Sequence, residues 1–157
     1  MREILFRGKR KDNGEWVDGD LRHGSYYFSD AEMYISVPFV RTIINHPVVP
    51  ETVGQYTGLK DKNGKRIFEG DIVRTQPFSD RPYSKKAKFK QHIGVVRYDV
   101  RHYKSIRDEY EQDYNAAWNV DIKDCGGYGY CSWSAFYKCE VIGNIHDNPE
   151  LLGGANA

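Results

Sequence analysis

The segment Thr52–Val73, TVGQYTGLKDKNGKRIFEGDIV, constrains the fold more than any other part of this chain. Asn63-Gly64 predicts a hairpin closed by a type I′ turn. Both central residues of such a turn need positive φ, which Gly takes freely and Asn accepts better than most residues. Lys60, Asp61, Lys62, Lys65 and Arg66 surround the turn, so its tip is expected in water. Tyr56, Leu59, Ile67 and Phe68 are the apolar groups that anchor its base. Glu69-Gly70-Asp71 then predicts a bend or bulge leading into a new strand at Ile72-Val73. No acid–base partner stands near Glu69 and Asp71 in sequence, so they read as acceptors for backbone N–H groups and not as a catalytic pair.

The remaining chain repeats this hairpin grammar. Ile4 and Phe6 alternate with polar neighbours, Asp12-Asn13-Gly14 makes a turn, and Trp16-Val17 begins a return strand. Tyr26-Tyr27-Phe28, Met33-Tyr34-Ile35 and Val40–Ile44 are short strand candidates, with a turn expected at Ser29–Glu32. Ile93–Tyr98 reads as a strand. Trp118, Val120 and Ile122 alternate with polar residues, as do Cys139, Val141, Gly143 and Ile145, which predicts one buried and one wet face. Sustained helical periodicity is absent, with room for one short helix at Ile106–Ala117. Fifteen glycines and twelve tyrosines against two methionines fit strands and turns better than helices.

The expected architecture is mainly β with little helix. Residues 1–49 form an N-terminal β-meander, and residues 50–157 form a small SH3-like barrel with long charged loops at 74–92 and 101–115. An SH3-like likeness carries no function with it. A chain of 157 residues can bury a core of its own in either arrangement.

Several motifs resemble the YopX family, small proteins encoded by phages and prophages. They are Arg2-Glu3-Ile4 with Phe6-Arg7, Pro50–Leu59, Asp61–Lys65, Glu69–Val73 and Glu140–Leu151. The resemblance runs from Arg2 to about Leu152 and implies a mainly β fold in a phage accessory setting. It implies no activity, and no catalytic or binding residue carries over from it. Arg74–Gln91 and Arg101–Tyr137 show no motif of the family.

Function classes narrow on chemistry. Between Arg74 and His92 the chain carries Arg81, Lys85, Lys86, Lys88 and Lys90 without an acid beyond Asp80, together with Tyr83 and Phe89. Cations interleaved with aromatic rings suit single-stranded nucleic acid, through phosphate contact and base stacking. If all five cations met phosphates of a duplex, log affinity would fall against log salt with a slope of roughly −4.5. The competing expectation is that the acidic stretch Asp108–Asp113 pairs with the basic one and neither touches nucleic acid.

Catalysis and metal binding are not expected. Cys125, Cys131 and Cys139 are spaced by five and seven residues, wider than structural zinc pairs. Gly126-Gly127-Tyr128-Gly129 lacks the Lys-Ser/Thr of a phosphate loop, and the five histidines stand in no nucleophilic motif. No cofactor is expected. An odd cysteine count, no apolar run of bilayer length and no signal-peptide pattern point to the host cytoplasm and away from the membrane. What remains is binding. Open strand edges and abundant tyrosine predict a homo-oligomer or contact with an unknown phage or host protein, with nucleic acid as the alternative.

Overall fold

The computed structural model describes residues 3–24, 33–79, 85, 87–104, 111–122 and 136–153; side chains of residues 100–104 and 111–116 are not described. The expected strand at Tyr26–Phe28 and the turn at Ser29–Glu32 lie outside these residues, as do Cys125, Cys131, Gly126–Gly129 and Trp133.

Among the described residues, ten strands follow one another: β1 (Phe6–Lys9), β2 (Trp16–His23), β3 (Met33–Phe39), β4 (Thr42–Val48), β5 (Gly54–Lys60), β6 (Arg66–Phe68), β7 (Asp71–Arg74), β8 (Ile93–Lys104), β9 (Glu111–Asp121) and β10 (Glu140–Asn144). Two short 3-10 turns, Pro50–Thr52 and Pro149–Leu152, complete the described elements. The mainly β expectation is met. The strands make a six-stranded antiparallel sheet, in the order β4-β3-β2-β1-β5-β6, and a four-stranded one in the order β10-β7-β8-β9. These sheets do not close into a barrel, so the SH3-like closure is corrected to open sheets with edges.

The chain divides into two compact units, residues 1–59 with 66–68 and residues 60–65 with 69–157. In the first unit, Ile35 and Val48 are fully buried, with Tyr56, Ile67 and Phe68 close to it. The Arg7 guanidinium lies 4.6 Å from the Trp16 ring centre and 4.7 Å from that of Phe68. Such stacking lets a cation cover apolar surface while keeping an attractive electrostatic contact. Leu59, expected at the base of the hairpin, is exposed instead. In the second unit, Ile72, Val73, Val95, Val96, Val120 and Cys139 form the core.

The Asn63-Gly64 turn closes differently from the expectation. Only Gly64 has positive φ, at 81°. Gly64 N donates to Asp61 O and Asp61 N donates to Lys65 O. A type I turn followed by a left-handed Gly has this pattern, the three-residue hairpin loop with a bulge.

The tip is not uniformly solvated either, because Asp61 is buried. Its Oδ1 accepts from the amides of Asn63 and Lys65, at 2.8 and 2.9 Å, and its Oδ2 accepts from Val141 N at 3.1 Å. Lys62 N adds a bond to Cys139 O. One carboxylate therefore fixes the turn's shape and ties it to β10, some eighty residues further along the chain. Burial pushes this carboxyl up. The amides of Val141, Lys65 and Asn63, with the Lys65 charge, outweigh that push and hold it below the ordinary carboxylate range.

At Glu69-Gly70-Asp71 the expected bend is present. Gly70 has φ 81°, its N–H donates to Val96 O, and its carbonyl accepts from Ile145 N. Asp71 is buried there. The loop expected at 101–115 is corrected. Residues 101–104 continue β8 and 111–115 belong to β9, paired from Lys104↔Glu111 through Arg101↔Asn115 to Val95↔Asp121. The short helix expected at Ile106–Ala117 is replaced by strand over 111–117.

Candidate interaction surface

The run Ser36-Val37-Pro38-Phe39-Val40-Arg41-Thr42-Ile43-Ile44 contains no Gly, Asn or Asp to mark a turn, yet the chain reverses inside it. The strand expected at Val40–Ile44 is corrected: β3 ends at Phe39, β4 begins at Thr42, and Val40 sits in the connection with φ 44°. A β-branched residue at positive φ is a strained outlier, because its Cβ crowds the backbone. Val40 is 92% exposed, so the strain brings it no burial.

Register then decides what faces where. The pairing Ile35↔His46, Val37↔Ile44 and Phe39↔Thr42 puts these six side chains on the face that carries fully buried Ile35 and Val48. Toward the tip that apolar face runs out of cover. Phe39 is 56% exposed and Ile44 39%, while on the opposite face Ile43 is 50% exposed. β4 is also the terminal strand of its sheet. At its far end, Lys11 N donates to Pro47 O and Val49 N donates to Lys9 O, so the β1 segment covers the edge from Pro47 onward. Among the described residues, none pairs with the edge from Thr42 to His46.

The predicted basic site is only partly described. Arg81, Tyr83 and Lys86 lie outside the described residues. Lys85, Lys88 and Lys90 are exposed, and Phe89 is 64% exposed. Their loop springs from an ordered neck. Phe78 and Lys90 exchange both backbone bonds, Thr75 N donates to His92 O, His92 N donates to the Thr75 hydroxyl, and the Phe78 and His92 rings stack 4.5 Å apart. Of the acidic stretch, residues 108–110 lie outside the description and 111–113 are in β9.

Among the described residues, no three His, Cys, Asp or Glu side chains gather as a metal site. Burial, reinforced by the Asp61 charge, pushes the Cys139 thiol up to about 11, which disfavours the reactive thiolate. Among the described residues no helix is long and apolar enough to cross a membrane.

Sequence reasoning missed the exposed hairpin. The available signal was Pro47, since proline inside a strand pattern marks a sheet edge.

Comparison with known proteins places the chain. No curated protein matches it. Among solved structures, the crystal structure of protein EF1440 from Enterococcus faecalis is similar at 22% identity, covering 97% of this chain and 99% of that one, with a TM-score of 0.46. The family model for YopX protein matches residues 5–153. With nearly its whole length so matched, this chain belongs to the YopX family.

Proposed function

We propose that this protein works by binding another protein chain, its own copies included, and performs no catalysis. The observation that carries the reading is the β3–β4 hairpin, which holds Phe39, Val40, Ile43 and Ile44 in water beside an open strand edge. Contiguous exposed apolar surface is uncommon on a protein that acts alone and typically marks a contact site. The setting that fits is an accessory protein of a phage or prophage, active in the host cytoplasm. The amides of Ile43 and Asn45 provide the test, by hydrogen exchange at low and at high protein concentration. Slower exchange at these two positions in the concentrated sample is expected. Unchanged exchange at both would contradict self-association through this hairpin.

A second reading rests on the basic loop. Its ordered neck presents Lys85, Lys88, Lys90 and the exposed Phe89 ring, a cation and aromatic set suited to single-stranded nucleic acid. Binding to a labelled oligonucleotide should then weaken steeply with salt. Replacing Lys85, Lys86, Lys88 and Lys90 with Ala should reduce it at least about tenfold. No binding at low salt, or equal binding by the variant, removes this reading.

A further inference from the structure

The hairpin's open edge has a geometry that selects its partner. Antiparallel pairs alternate between those that exchange both backbone bonds and those that exchange none. Proline lacks the N–H that a bonded pair requires. Pro38↔Ile43 and Tyr34↔Pro47 therefore belong to the non-bonded set, and Ser36↔Asn45 falls between them in the same set. Pro47 confirms the parity, because its carbonyl points away from β3 and accepts from Lys11 N. It follows that the N–H and C=O groups of Ile43 and Asn45 also point outward from the sheet. Among the described residues, no backbone hydrogen bond reaches them.

We infer that β4 pairs antiparallel with β4 of a second copy, about a two-fold axis at Ile44. Rests on the self-binding reading above, this pairing sets Ile43 of each copy opposite Asn45 of the other, so both outward groups of both residues are satisfied. The arrangement is isologous, as a closed dimer requires. Four features of the chain favour a second copy over an unrelated strand. The open edge, Thr42-Ile43-Ile44-Asn45-His46, carries no acidic or permanently basic side chain, so two copies meet without like charges. It also lacks the lysine or inward charge by which edge strands resist pairing. Its length is bounded by the turn at Val40-Arg41 and by Lys11 at Pro47, which limits pairing to a register centred on Ile44. Finally, Ile44 shares its face with Val37 and Phe39, so the two-fold joins two exposed apolar stripes into one.

A five-residue edge is a small contact. The dimer is accordingly weak, with a dissociation constant of about 10 µM, as befits interfaces at the low end of the size range.

Site-directed crosslinking tests the register. Ile44 faces its own β3 with its backbone bonds, so Ile44 and Ile44 of the second copy form a non-bonded pair, whose Cα atoms lie about 4.5 Å apart. That separation is within disulfide reach, whereas the Asn45 pair across the same axis lies about 8 Å apart and is beyond it. Oxidised glutathione should convert the Ile44→Cys variant to a covalent dimer. The parent, with its own three cysteines, and the Asn45→Cys variant should show only background crosslinking under the same conditions. An Ile43→Lys variant with an unchanged circular dichroism spectrum should be monomeric by light scattering. A parent that dimerises while Ile44→Cys crosslinks no better than background overturns this register and leaves self-binding elsewhere intact. A parent that stays monomeric at hundreds of micromolar overturns both.

Discussion

Asp61→Ala is expected to destabilise the second unit by about 3 kcal/mol, reflecting charge-assisted bonds of about 1.5–3 kcal/mol each that are partly replaced by water. The carboxylate serves the amides of Asn63, Lys65 and Val141 together, so its removal leaves the turn unpinned and a buried donor on β10 without an acceptor. For a chain of this size the loss corresponds to a fall in melting temperature of about 10 °C. Asp61→Asn should cost less at neutral pH, because one amide oxygen still accepts.

The two variants separate in acid. The Asp61 carboxyl is held below its ordinary range when folded, so its stabilisation is fully present above the unfolded carboxylate pKa of about 3.9. It is lost as pH falls through the folded value. Thermal melts of parent and Asp61→Asn should therefore converge as pH drops below about 4. A gap between them that stays constant down to pH 2 would show that the carboxylate's charge is not what holds the turn.

The second large effect concerns association. Phe39→Ser with Ile43→Lys should raise the dissociation constant of the self-complex at least about a hundredfold, as expected when buried apolar contacts and an open edge are both removed. Folding should hardly change, since Phe39 and Ile43 are at least half exposed in the single chain. Stability measured by urea unfolding in dilute solution provides the control. A double variant that associates like the parent would relocate the contact away from the hairpin.

Much of the fold was legible in the sequence because turn chemistry is local. Asp12-Asn13-Gly14 and Asn63-Gly64 placed two reversals, and Gly14, Gly64 and Gly70 do take positive φ. The type of the second turn was not legible. It depends on Asp61 reaching Val141, a contact between residues far apart in sequence. The β8–β9 hairpin was hidden for another reason: its outer half, Arg101–Lys104 with Glu111–Asn115, is polar at nearly every position and shows no period of two. Nor did the barrel follow from short strands and tight turns, since closure depends on how strand edges meet. The candidate surface was the least legible part. Val40 occupies a turn that its residue type disfavours, so propensity argued for a strand already beginning at Val40, where the chain in fact reverses.

The exposed β3–β4 hairpin is proposed to bind protein, beginning with a second copy of this chain. Multi-angle light scattering of the purified parent from about 1 to 300 µM, a range spanning the affinity expected of a small interface, tests it most directly. The weight-average mass should rise from 18.2 kDa toward twice that value. A mass that stays at 18.2 kDa across the whole range would contradict it.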